Sequence, residues 1–248
     1  MSIENNPYIN IGNQIYDNRA PAFYDTIDDN TLIKIVESNA TTFFKEWQQY
    51  VQQQEKRTKF FLLYKEKGWD TIMLYSYGLR YHKNCLHFPE TLKLIAPFGN
   101  MVTLYFSTLN ADTKIKPHYG DTDATYRIHL GLKIPAELPT CGIEVGGIQK
   151  SWIENKTLIF NDAHYHTAWN LSNENRTVLI IDILKPDYIQ QKKWILPQIL
   201  GALGMGRLFF FLREVKLPKI VIKALHFIAT IIFKMFIPFQ RALHIFYK

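Results

Sequence analysis

The segment His118-Tyr119-Gly120-Asp121-Thr122-Asp123-Ala124-Thr125-Tyr126-Arg127-Ile128-His129, continued by Leu130-Gly131-Leu132-Lys133-Ile134, decides how the rest of the chain is read. From Tyr126 to Ile134 it alternates: Tyr126, Ile128, Leu130, Leu132 and Ile134 are apolar or aromatic, and Arg127, His129, Gly131 and Lys133 fall between them. Period two is a strand with one apolar face, so Arg127 and His129 point the same way. A second stretch, Asn161-Asp162-Ala163-His164-Tyr165-His166, is followed ten residues on by Arg176. The same rule puts His164, His166, Ala168 and Asn170 on one face of a second strand, and Arg176, Val178, Ile180 and Asp182 on one face of a third. These faces carry His and Arg, not the Lys, Glu and Thr of an ordinary solvated face. If they line one cavity, it offers imidazoles to a metal and guanidinium groups to carboxylates. A single strand His or Arg is an ordinary structural residue; the convergence of several separate positions on one chemistry points to a site.

Working outward, strands are expected at Phe60 to Tyr64, Thr71 to Tyr77, Met101 to Ser107, Cys141 to Val145, Ser151 to Ile153 and Thr157 to Asn161, with a turn at Gly68-Trp69-Asp70. Short strands at this frequency, without helices between them, indicate a barrel or sandwich rather than a parallel α/β sheet. Residues 1 to 30 read as an irregular arm over the body. Asp29 or Asn30 caps a helix through Trp47, with Leu32, Val36, Ala40, Phe43 and Trp47 on its core face. Pro89 opens a short helix ending at Ile95. A helix over Lys193 to Leu203 is expected to break at Gly201, Gly204 and Gly206. His82, Cys85 and His87 have metal-ligand chemistry, but no second cluster completes a tetrahedral set.

The pattern His-x-Gly-x6-Arg-x-His-Leu-Gly-Leu, then a Trp, then Leu-Ile-Phe-x-Asp-x3-His-x9-Arg resembles the aspartyl/asparaginyl β-hydroxylase family, from about Phe88 to about Leu200. The resemblance implies a mainly β protein, a double-stranded β-helix of the jelly-roll or cupin type with flanking helices. It implies an Fe(II)- and 2-oxoglutarate-dependent dioxygenase that uses O2 to hydroxylate a substrate C–H bond. His118 and His166 correspond to the iron ligands, Asp162 to an acid beside the iron, and Ser107, Arg127, His129 and Arg176 to the groups that hold 2-oxoglutarate. Arg176 with Ser107 would take the far carboxylate, and Arg127 with His129 the near one, or the reverse.

Non-haem iron oxygenases usually add a carboxylate ligand two residues after the first His. Here that position is Gly120. Asp121 is one residue late and in extended chain points the other way. The resembled hydroxylases also carry Gly there and manage with two His, so a two-His site is expected, Asp162 holding the water that fills the gap. Two other readings compete: a zinc hydrolase on His118, His164 and His166, which leaves Arg127, His129 and Arg176 unexplained, and a non-enzymatic β-barrel binding module, which leaves every filled position unexplained.

Composition bounds the rest. The chain has 248 residues, 17 Phe, 14 Tyr and 5 Trp, enough for one sizeable core, and two cysteines, Cys85 and Cys141, too few for a disulfide scaffold. Its N-terminus lacks the pattern of a signal peptide. The formal net charge of +7 is concentrated at the C-terminal end: residues 207 to 248 hold eight Lys and Arg against Glu214 alone. A neutral body with a basic, apolar tail excludes nucleic acid as the expected partner and favours an anionic membrane surface. We therefore divide the chain into an oxygenase domain, 1–206, and a helical tail, 207–248.

Lys216, Lys219, Lys223, His226, Thr230, Lys234 and Arg241 form one helical stripe of the tail, expected to face lipid headgroups. The longest run there without Lys or Arg, Ala224 to Phe233, is ten residues. Because a span needs about 20, the tail is expected to lie on the membrane rather than cross it. A cytoplasmic protein attached peripherally, acting on a lipid or lipid-linked small molecule, follows as the expectation. The alternatives are Asp or Asn in peptides, or amino acids, as substrate, and a tail that packs on the barrel or on a second subunit.

Overall fold

The computed structural model describes residues 6–11, 14–27, 30–54, 68–211 and 217–242. The strand expected at 60–64, the Asp29 cap and Lys216 lie outside the described residues. Two antiparallel sheets face one another. The strands are β1 (Phe23–Tyr24), β2 (Trp69–Ser76), β3 (Leu79–Arg80), β4 (Met101–Leu109), β5 (Thr113–Lys114), β6 (His118–Tyr119), β7 (Thr125–Lys133), β8 (Cys141–Val145), β9 (Ile148–Lys150), β10 (Thr157–Phe160), β11 (Tyr165–Asn170) and β12 (Arg176–Leu184). The larger sheet has the order β1-β10-β7-β12-β4-β2-β3; the smaller runs β5-β11-β8-β9, with β6 paired to β11. This is the mainly β core expected from the strand pattern, in the cupin-like form that the resemblance implies.

The helices are α1 (Asn30–Ser38), α2 (Ala40–Gln54), α3 (His82–Cys85), α4 (Pro89–Ile95), α5 (Lys192–Phe211) and α6 (Lys219–Ala242). The helix expected through Trp47 is interrupted at Asn39, yet Leu32, Val36, Ala40 and Phe43 share one buried face as the spacing requires. That face packs on Phe106, Ile128, Leu130, Leu179 and Ile181 of the larger sheet. Glu46 on α2 is itself buried and caps α4, accepting the Glu90 and Thr91 backbone N–H groups at 2.8 and 2.9 Å and the Thr91 hydroxyl at 2.7 Å.

A second core lies between the sheets, where Tyr105, Ile143, Trp152, Phe160, Val178 and Ile180 meet. The two central strands β4 and β12 are therefore buried on both faces along their whole length. Polar residues on their inner face are not solvated, which is why the alternating His and Arg positions cost free energy unless they have partners.

Two local expectations change. Ser151 to Ile153 is not a strand: the chain leaves the sheet after Lys150 and inserts Trp152 into the inter-sheet core. Of the expected turn at 68–70 only Gly68 turns, with φ +91°, and Trp69 and Asp70 begin β2.

The C-terminal region departs further. α5 runs unbroken through Gly201, Gly204 and Gly206, and the boundary expected at 206–207 falls inside it. Gly201 is a packing position: a Cβ there would come within 3.2 Å of the Thr230 backbone nitrogen on α6. α6 lies against the body, donating from Arg241 Nε to the Gly78 carbonyl at 2.7 Å and placing Ile237 in a third core with Tyr77, Ala124 and Ile199. Its polar stripe divides. His226 and Thr230 are buried against α5, the imidazole on the Gln198 carbonyl at 2.8 Å, while Lys219, Lys223, Lys234 and Arg241 stay exposed on one flank. The stripe thus faces protein at its centre rather than lipid. At 100° per residue, Ile228, Ile231, Ile232, Met235 and Phe239 fall on the side of α6 opposite the body, and all are exposed, as is Phe227 on its flank. By length and composition alone, Lys219–Ala242 is apolar enough to cross a membrane.

Candidate active site

The β-ladders bring the separate sequence positions together. His118 on β6 and His166 on β11 are directly opposed across their strand pair, with ring centroids 4.3 Å apart. Each ring is held by the carbonyl two residues before it: His118 Nδ1 lies 2.8 Å from the Lys116 oxygen and His166 Nδ1 2.8 Å from the His164 oxygen. A carbonyl only accepts, so Nδ1 carries the hydrogen in both rings and both Nε2 lone pairs are left free. That is the tautomer a metal needs, set by the partner of the other nitrogen. Burial pushes His166 down to about 4, so its ring is neutral near pH 7.

Gly120 explains the missing carboxylate ligand. A Cβ there would lie 2.0 Å from Asp162 Oδ2 and 2.2 Å from the Asp162 carbonyl oxygen. The Asp162 side chain already fills the space that a side chain at position 120 would enter, with Oδ1 3.4 Å from His166 Nε2. Asp121 is turned away and accepts the Tyr77 hydroxyl at 2.8 Å. Among the described residues, no group of three or more His, Cys, Asp or Glu side chains is arranged to hold a metal. The His82, Cys85, His87 set stays apart from metal chemistry too: Cys85 is buried and His82 Nε2 sits 3.0 Å from the Gln240 carbonyl.

His164 leaves the face expected for it. It precedes β11, donates from Nε2 to the Ala20 carbonyl at 2.7 Å and packs edge-on against Tyr16 of the N-terminal arm. This removes the third ligand of the zinc-hydrolase alternative.

Ser107, Arg127, His129 and Arg176 line one cavity with His118, His166 and Asp162. Its polar lining is rich in donors. Trp152 Nε1 donates to His129 Nδ1 at 3.2 Å, and since indole can only donate, the His129 hydrogen is on Nε2, which has no partner. Burial, then the charges of Arg127 and Arg176, hold His129 well below its ordinary value, so it is a neutral donor. Ser107 Oγ accepts from Trp69 Nε1 at 2.9 Å and keeps its own hydrogen to donate. Arg176 is 2% exposed, stacks on the Trp152 ring at 4.4 Å, has an unpartnered Nε, and makes no ion pair among the described residues. Burial lowers it to about 10, which leaves it charged. A buried guanidinium without a carboxylate, beside an orphan imidazole N–H, fits a carboxylate ligand.

Arg127, which also lines the cavity, is bonded within the protein. Nε and Nη2 donate to the two Asp182 oxygens, each at 2.8 Å, and Nη1 bonds Asp162 Oδ1. Burial disfavours its charge, but the two carboxylates outweigh that and raise it well above normal. Burial raises Asp162, and Arg127, the two imidazoles and the Asp121 backbone N–H together more than reverse this, leaving Asp162 below its ordinary value. Tyr77, Trp69 and Asp182 thus belong to the site's surroundings although sequence reading gave them no role. Asp182 lies on the same predicted face as Arg176; only the register, which sets it opposite Arg127, reveals its partner.

Burial, then the nearby Asp162 charge, lift the Asp121 carboxyl to about 6 from 3.8. An acid raised by folding stabilises the fold most below its unfolded value, and that contribution is lost as pH rises through the folded one. Asp121→Asn imitates the neutral acid and keeps an acceptor for Tyr77. In thermal melts of metal-free protein it should exceed wild type at pH 8, the advantage shrinking towards pH 4. Equal melting temperatures across that range would mean Asp121 is solvated as an ordinary carboxylate.

A cupin-like barrel with two opposed imidazoles and a donor-lined cavity between its sheets defines the class of protein. Residues 25–186 match the model of the aspartyl/asparaginyl β-hydroxylase family, and the chain belongs to that family. It is 33% identical over 141 residues to the Homo sapiens protein named aspartyl/asparaginyl beta-hydroxylase, covering 54% of this chain and 18% of that one. It is 32% identical over 118 residues to the ornithine lipid ester-linked acyl 2-hydroxylase of Rhizobium tropici, covering 48% of this chain and 42% of that one. The chain therefore aligns with less than half the length of either relative. Among solved structures, a Cupin_2 domain from Enterobacter cloacae overlaps 47% of this chain and 97% of its own, with TM-score 0.32 and 10% identity. AviO1 from Streptomyces viridochromogenes overlaps 66% of this chain and 97% of its own, with TM-score 0.40 and 11% identity.

Proposed function

We propose that the protein is an Fe(II)- and 2-oxoglutarate-dependent hydroxylase that inserts one atom of O2 into a C–H bond of a lipid or lipid-linked substrate at a membrane surface. The observation that carries this reading is the pair of free Nε2 lone pairs beside a cavity whose buried Arg176 has an unpartnered Nε and no counterion among the described residues. His118 and His166 would hold the iron. Arg176, Ser107 and His129 would hold the 2-oxoglutarate carboxylates, and Asp162 would orient solvent at the metal. When bound, iron and 2-oxoglutarate supply the oxidant; the protein's part is to orient the substrate carbon and exclude water. A non-enzymatic barrel would have no use for orphan donors in its core.

The choice of a lipid rests on α6. Its outward face is apolar, and Lys219 and Lys223 stay exposed beside it while Lys234 lies over the Trp194 ring and Arg241 bonds the body, as suits a helix lying at an anionic headgroup boundary. The helix also sits at the end of the barrel that carries the loop after His118: Ile237 shares a core with Tyr77 and Ala124, and Tyr77 bonds Asp121. One relative's name concerns a lipid acyl chain and another's aspartyl and asparaginyl residues, so both substrate classes enter the test.

Purified full-length protein should sediment with phosphatidylglycerol vesicles, bind phosphatidylcholine vesicles much less, and release as salt is raised. Phe227→Asp with Ile232→Asp should abolish sedimentation while leaving 2-oxoglutarate turnover intact. Mass spectrometry of lipids and peptides from cells with and without the gene should show a gain of one oxygen in a lipid. A gain confined to peptide Asp or Asn, with no vesicle binding, would replace the lipid reading by the peptide one.

A further inference from the structure

Asp182 is fully buried and was given no part in holding the metal or the co-substrate. The antiparallel register of β7 and β12 sets it directly opposite Arg127. Its two oxygens take the Nε and Nη2 edge of the guanidinium at 2.8 Å each, a planar fork with a single orientation. With that edge occupied, the side that Arg127 presents to Asp162 is Nη1.

One guanidinium is therefore shared by two buried carboxylates, and the sharing has a consequence beside His166. Asp162 receives one Arg127 nitrogen on Oδ1, and Oδ2 takes the Asp121 backbone N–H at 3.3 Å. Without Asp182, the Nε and Nη2 edge would be free to engage Asp162 as a fork, absorbing both oxygens and turning the carboxylate away from the imidazoles. With Asp182 in place, Asp162 keeps acceptor capacity on the side of His166 Nε2, 3.4 Å from Oδ1.

We propose that Asp182 is a positioning residue that acts through Arg127: by occupying one edge of the guanidinium it holds the Asp162 carboxylate towards the metal position between His118 and His166. The proposal rests on the iron-dependent reading of the site.

The test is metal binding, read apart from turnover. Metal-free full-length protein is titrated with Co(II) and followed by its visible absorption, and 2-oxoglutarate KM is measured separately with Fe(II). Asp182→Asn, which keeps shape and one acceptor, should weaken Co(II) binding about tenfold, the usual scale for a group that orients a ligand's partner. The 2-oxoglutarate KM should move less than about twofold. In an Asp162→Asn background, Asp182→Asn should cost nothing further.

Unchanged Co(II) affinity in Asp182→Asn overturns the proposal. So does a KM rise as large as the loss of metal affinity, which would make Asp182 a general support of the cavity rather than a residue that positions Asp162. If Asp182→Asn does not fold, Arg127→Lys decides: a single ammonium cannot bridge both carboxylates in one plane, so the same tenfold loss supports the proposal and wild-type affinity overturns it. Wild-type protein that binds neither Co(II) nor 2-oxoglutarate overturns the hydroxylase reading and this inference together; a wild type that binds both, with an indifferent variant, overturns this inference alone.

Discussion

Alanine at His118 or at His166 is expected to remove iron-dependent conversion of 2-oxoglutarate to succinate, with a loss of at least about 100-fold, the upper range for changes that merely perturb a metal's surroundings. The expectation follows from the donor count. Two imidazoles are the assigned ligands, Asp162 is held by Arg127 and the Asp121 backbone N–H, and Gly120 is closed to a side-chain ligand by Asp162. Losing one of two leaves a single ligand, and no neighbour stands in reserve: Asp121 is committed to Tyr77 and His164 to Ala20. Fe(II) or Co(II) titration of each variant should show the same loss, and circular dichroism should show the fold retained, because His118 is exposed at a strand of only two residues. Substantial activity in both single variants would remove the ligand assignment.

The second large effect is at Arg176, and it has opposite signs in the two states of the protein. In the ligand-free protein the buried guanidinium has no counterion among the described residues, so Arg176→Met, similar in length and apolar, should stabilise the fold by about 1 kcal/mol or more. The same change should raise the 2-oxoglutarate KM roughly 10- to 150-fold, which corresponds to the loss of about 1.5–3 kcal/mol of charge-assisted hydrogen bonding. Wild-type protein with iron should gain about 2.7 kcal/mol at a hundredfold excess of 2-oxoglutarate over its Kd, and Arg176→Met should gain almost nothing. Arg176→Lys should recover only part of the affinity, because an ammonium lacks the planar fork and its stacking on Trp152. A variant that is destabilised without ligand and binds 2-oxoglutarate like wild type would make Arg176 a structural residue.

The alternation from Tyr126 to Ile134 was enough to find β7 to within a residue at each end, and the turn and strand signals found β4, β8 and β10. The helix breaks were misread because glycine carries two meanings. Gly201 and Gly204 look like punctuation in sequence but serve the close approach of α5 to α6, a demand set by a partner about thirty residues away. The tail stripe was misread for a related reason. Spacing defines a face of a helix, but whether the face meets protein or lipid depends on what packs there, and His226 and Thr230 meet α5.

By itself the sequence determined what local rules control: an all-antiparallel β core, an amphipathic N-terminal helical region, the face shared by Arg127 and His129, and a spacing of His118, Arg127, His129, Asp162, His166 and Arg176 specific enough to place the chain in its family. Tertiary structure decided everything that depends on which residue lies opposite which. The register of β6 on β11 brings His118 to His166, that of β7 on β12 hands Arg127 to Asp182, and the insertion of Trp152 sets the His129 tautomer and covers Arg176. The physical reason is range. Periodicity and turn chemistry act over a few residues of one strand, whereas the charge, tautomer and availability of a buried side chain are set by partners brought in from strands tens of residues away.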